Sequence, residues 1–102
     1  MRNAMGVLLA AMPPEFNIKE HPGYNGVFTT NEADGAYPNG TRIVKSRSEE
    51  GDATPTGTKG TVLGSIRQEP IPFPMYFVEW DNRPKFAVAV IGLKIQQEGT
   101  LQ

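Results

Sequence analysis

The 102-residue chain has the length of one domain, is 38% hydrophobic and 21% charged, and carries no cysteine and a formal net charge of −1. Those values exclude a disulfide framework and a thiolate metal site, and they leave no overall attraction for phosphate backbones or anionic membranes. Eleven glycines and nine prolines demand many turns and disfavour long helices.

The N-terminus pairs Arg2 with an apolar stretch over residues 4–12, the outline of a secretory signal. Gly6 interrupts the run, and Met12-Pro13-Pro14 stands where an Ala-x-Ala cleavage site belongs. The run also falls far short of the ~20 apolar residues that cross a bilayer, so a cytoplasmic protein without membrane contact is expected. Residues 1–38 form an irregular arm, with Pro13, Pro14, Pro22, Gly23, Gly26, Gly35 and Pro38 breaking any helical period. Within it residues 26–30 suit one short strand whose partner the pattern does not show.

A small barrel is predicted over residues 39–96, with a tail at 97–102. Asn39-Gly40 is a turn signal that launches a first strand over 41–45. Residues 46–55 are polar, carry Glu49, Glu50 and Asp52, and read as a long solvated loop. A second strand over 58–66 is punctuated by Gly60 and Gly64, which mark a bulge or tight bend. Pro70, Pro72 and Pro74 cannot donate ladder bonds, so that stretch, with Ile71 and Phe73, is loop. In the next strand, Met75–Trp80, period two places Tyr76, Val78 and Trp80 on a buried face and Phe77 and Glu79 on the other. Residues 81–84 make the turn and 86–91 return as the antiparallel partner. Ile91-Gly92-Leu93 is a single tight turn before a short closing strand at Lys94-Ile95.

This order, with Gly57-Thr58-Lys59-Gly60-Thr61-Val62 followed by the hairpin start Val78-Glu79-Trp80-Asp81, resembles the five-stranded Src-homology-3-like barrels, including the KOW-type modules. The resemblance covers about 58 residues and implies an all-β fold, while one superfold hosts many activities. The chain is also similar to the plasmid-encoded type II dihydrofolate reductases. The similar segments are Gly40-Thr41-Arg42-Ile43-Val44-Lys45 and Lys59-Gly60-Thr61-Val62-Leu63-Gly64, with Val88-Ala89-Val90-Ile91 where that family carries Val-Gln-Ile-Tyr. Ala89 thus replaces the family's glutamine and Ile91 its tyrosine, and a methyl group offers neither donor nor acceptor. What this resemblance implies is a pore-type oligomer with a small-molecule ligand, without the reductase residues.

Isolated, a barrel of this size buries only about 60% of its unfolded surface and needs a covering arm or a partner subunit. Candidate contact residues are Phe73, Phe77, Arg83 and Lys59, aromatics beside cations that suit a peptide or stacked base. Phe86, Val88 and Val90 mark an edge for self-association. Arg42, Lys45, Arg47 and Lys59 offer a basic patch for a KOW-like nucleic-acid binder, blunted by Glu49, Glu50 and Asp52. His21 is the only histidine, and the sequence shows no catalytic triad, metal cluster or cofactor fingerprint. The expectation is a non-catalytic interaction module that self-associates through residues 86–91 and the arm, its partners being a second copy and an unidentified protein or small molecule. An oligomeric small-ligand or reductase-like pore protein and a nucleic-acid binder are the alternatives.

Overall fold

Alternating β-branched and aromatic runs, separated by glycine and proline, become strands throughout residues 17–99, which the computed structural model describes. The expected signal-like segment and the last three residues lie outside that range. β1 (Lys19–Glu20) and β2 (Val27–Phe28) form a small antiparallel ladder, Lys19 opposite Phe28 and Glu20 opposite Val27. This supplies the partner that the sequence did not show for residues 26–30.

The main sheet contains β3 (Arg42–Lys45), β4 (Lys59–Ile66), β5 (Met75–Trp80), β6 (Ala87–Ile91) and β7 (Ile95–Gln97). Neighbours are antiparallel in the order β6-β5-β4-β3-β7. A one-turn 3-10 helix, Gly92–Lys94, replaces the expected tight turn before β7. The expected barrel is realised as an open five-stranded sheet. β6 and β7 stand at opposite ends of the order and are joined by the 3-10 turn rather than by a ladder, so both are edges. Among the described residues no helix is long and apolar enough to cross a membrane.

Of the two glycines expected to mark a bulge or bend, Gly64 does so, while Gly60 lies in regular register and answers to close packing instead. The β4–β5 register shifts between Val62 and Gly64, a bulge that bends the strand. A Cβ on Gly64 would collide with the backbone of Thr29, so only glycine lets the arm lie on β4 at this point. At Gly60 a Cβ would come within 2.9 Å of both the Glu79 carbonyl and the Trp80 ring.

Bending divides the apolar residues between two clusters. The first joins Ile43, Val62, Tyr76, Val78, Trp80, Val90 and Ile95, the face that period two predicted. The second joins Phe28, Ile66 and Phe77, with Tyr24, Leu63, Met75 and Ala87 packed around it. Phe77 was expected at the surface and is instead buried, because the arm folds over that side of β5. Arm and sheet are tied by polar bonds as well. Ser65 N–H donates to the Asn31 carbonyl at 2.8 Å and Ala33 N–H to Ser65 Oγ at 3.0 Å. Tyr37 N–H donates to the Tyr76 hydroxyl at 2.9 Å, and burial raises the pKa of that hydroxyl.

Candidate functional site

β6 has one ladder, to β5, with Tyr76 opposite Val90, Phe77 opposite Ala89 and Val78 opposite Val88. In an antiparallel strand the N–H and C=O of one residue point together to one side and those of the next to the other. Ala87 N–H leaves the sheet, donating to the Asn25 carbonyl at 2.9 Å. Ala89 and Ile91 therefore direct both backbone groups outward, and Val88 and Val90 direct theirs to β5. Gly92 N–H continues the alternation by donating inward to the Pro74 carbonyl at 2.7 Å.

Asn25 covers only the start of this edge, as an isolated parallel bridge to Phe86. A latch holds it there. Asn25 N–H donates to the Lys85 carbonyl at 2.7 Å, and Lys85, at φ 63°, adopts the left-handed conformation that presents this group. Glu79 fixes both sides of the latch, accepting from Lys85 N–H at 2.9 Å and from the Tyr24 hydroxyl at 3.2 Å. The Lys85 ammonium lies 5.0 Å from the centre of the Tyr24 ring. Burial first, and the bond to Glu79 second, raise the pKa of Tyr24 and keep its hydroxyl a donor.

Beyond Ala87 the edge opens onto a cleft of about 310 Å³, lined by Val88, Ala89, Val90 and Ile91 and by Lys45, Asp52 and Thr54. Trp80, 1% exposed, also lines it. Lys45 is only 3% exposed. Its ammonium donates to Asp52 Oδ2 and to the Thr54 carbonyl, both at 2.8 Å, and sits 5.9 Å from the centre of the Trp80 ring. The Lys45 bond holds the Asp52 carboxyl below the usual carboxylate range. The loop expected to be wholly solvated is thus pinned to the sheet by a buried cation.

The candidate contact residues do not converge. Phe73 precedes β5 and Arg83 follows it, so the strand's length, about 20 Å, separates them. Phe73 is exposed, Phe77 is buried, and Arg83 stacks 4.9 Å over the Phe86 ring. Lys59 pairs with Glu98 at 2.9 Å. Within the proposed edge Phe86 is exposed, whereas the Val88 and Val90 side chains turn toward the first cluster. What β6 offers outward is its backbone at Ala89 and Ile91, two residues that the sequence reading named only for the glutamine and tyrosine they replace.

The basic patch is also altered by its surroundings. Arg42 forms a fork to Asp81, its Nη2 2.6 Å from Oδ2, and reaches Glu98 at 3.5 Å. Each of these carboxyls sits below its ordinary range, Asp81 through Arg42 and Glu98 through Lys59. Among the described residues no cluster of three His, Cys, Asp or Glu side chains could hold a metal ion. His21 stacks on Phe28 with ring centres 3.9 Å apart and bonds the Phe28 carbonyl at 2.9 Å, which uses it in holding the arm. Comparison with protein-family models, curated proteins and solved structures finds no match to this chain.

Proposed function

We propose that the protein is a non-catalytic interaction module of the Src-homology-3-like small-barrel type that self-associates through β6. One observation carries this reading: an uncharged, apolar edge strand whose N–H and C=O at Ala89 and N–H at Ile91 turn away from β5, while the Ile91 carbonyl opens the 3-10 turn. Natural sheets guard such edges with charge, proline or a covering segment, since an open edge invites another strand. Here the covering segment stops at Ala87. The strand order, and the single 3-10 turn before the last strand, support the barrel-type assignment.

Ala89→Lys tests it. Ala89 is exposed, so the folding stability should change by no more than about 0.5 kcal/mol. The mass by light scattering should fall to that of one chain at concentrations where the unaltered protein associates. An unaltered protein that stays monomeric at high micromolar concentration sinks the reading.

The small-ligand alternative keeps one supporting observation, the cleft beside Lys45 and Trp80. A ligand there would raise Tm by mass action without changing the oligomer. The nucleic-acid alternative gains no comparable support, because Arg42, Lys45 and Lys59 each face a carboxylate.

A further inference from the structure

The two-fold pairing that self-association through β6 implies has a choice of registers, and the arm removes those that need the outward groups of Ala87. We infer that two copies pair β6 to β6 antiparallel with Val90 on the two-fold axis, Asn25 acting as the stop that sets this register. The inference rests on the self-association reading above.

The outward residues of β6 are Ala87, Ala89 and Ile91, and an isologous antiparallel pair joins outward residues of one copy to outward residues of the other. An axis at Val88 would join Ala87 to Ala89 of the second copy. An axis at Ala89 would join Ala89 to itself and Ala87 to Ile91. Both need the outward groups of Ala87, whose N–H is already held by Asn25 at 2.9 Å. Its carbonyl is shielded too, since a Cβ on Gly26 would lie 2.9 Å from it. An axis at Ile91 also spares Ala87 but joins only Ile91 to itself within the strand, whereas the axis at Val90 joins Ala89 to Ile91 twice over and leaves Ala87 to the arm.

Side chains agree with this axis. The segment Ala87–Ile91 carries no charge, so no like charges meet across it. Two of the exposed large hydrophobic side chains bracket the strand, Phe86 at 39% and Leu93 at 42%. The axis carries Phe86 of each copy toward the end where the other carries Leu93. β7 is short and ion-paired at its end, so it offers no second open strand, and the assembly closes as a dimer instead of growing into a fibre.

The cysteine-free chain makes the test clean. Opposed residues of a non-hydrogen-bonded pair approach to about 4.5 Å between Cα atoms, within disulfide reach. Under mild oxidation Val90→Cys should form a linked dimer at least tenfold faster than Ala89→Cys. An equimolar mixture of Ala89→Cys and Ile91→Cys should give mainly the mixed product, an arm that stays readable if Val90→Cys does not fold. Adding Gly26→Val, which pushes the arm from Ala87, should move the preference toward Ala89→Cys. Fastest linkage of Ala89→Cys with the arm intact would overturn the register and leave self-association standing. A monomeric mass for the unaltered chain, with no linkage at any position, would overturn both. Linkage through Val90 that ignores Gly26→Val would overturn the role of Asn25.

Discussion

The two edges of the main sheet are treated in opposite ways. β7 has three residues, one of them buried, and its open end is anchored by Glu98, whose N–H donates to the Arg42 carbonyl at 2.9 Å and whose carboxylate faces Lys59 and Arg42. β6 has five residues, all apolar and uncharged, and is covered at its first residue alone. At one edge, then, the fold keeps a short strand tied back to β3 and β4 by ion pairs, and at the other a longer strand without them. The bare stretch of β6 therefore reads as a surface kept for a partner strand, and the arm as the part that decides how much of it is offered.

The largest expected effect comes from unseating the arm. Phe28 is 3% exposed and joins Ile66 and Phe77 in the second cluster. Phe28→Ala should cost roughly 3–5 kcal/mol in denaturant unfolding, the usual range for truncating a buried phenylalanine. Amide exchange at Asn25 and Ala87 should accelerate, and the longer open edge should let two copies pair in more than one register. If Ala87 stays protected, the Tyr24–Glu79–Lys85 latch holds the arm without its apolar anchor, and the contrast between the edges does not depend on Phe28.

How far this was legible depends on which residues repeat with a local period. β5 is read from its alternation to the residue, and β4 and β6 to within one residue, because glycine, proline and turn residues bound them. The side of β5 carrying Phe77 was misread, since period two states which residues share a face and not whether something covers it. The cover comes from residues 24–37, irregular in sequence and placed by bonds to Ser65, Tyr76 and Glu79. Lys45 was readable in principle. Period two sets it on the face of Ile43, and a lysine turned inward asks for a nearby carboxylate, which Asp52 provides. Asn25 gives no such signal, because its contribution is made by its backbone.

Removing that inward lysine is the second test. Lys45→Ala should cost about 1–3 kcal/mol, the range for breaking a buried polar set, and should shift the fluorescence of Trp80, the only tryptophan. Lys45→Met keeps the volume without the charge and should recover only the packing part of that loss, since Asp52 and the Thr54 carbonyl are still left without their donor. The β6 cleft then loses the cation that pins its Asp52–Thr54 wall. An Ala variant as stable as the parent would mean that the loop holds its place without the Lys45–Asp52 pair.

The smallest effect separates the edges by pH. Glu98 has a folded-state pKa below its ordinary 4.5, chiefly through its bond to Lys59. A carboxyl depressed in the folded state contributes stability that is present above the ordinary value and lost as pH falls through the lowered one. Acidification from about pH 6 to pH 3 should therefore loosen β7, seen as lower amide protection at Glu98, whose N–H bonds the Arg42 carbonyl. Asp81, depressed chiefly by Arg42, works in the same direction. The change should be slight, because the partners are 34–54% exposed and water screens them. β6 has no titratable group between Ala87 and Ile91, so the Val90 amide should keep its protection across the same range. Glu98→Gln should abolish most of the pH response at position 98. Equal loss of protection at Val90 would show that the two edges open together and that the ion pairs do not guard β7 separately.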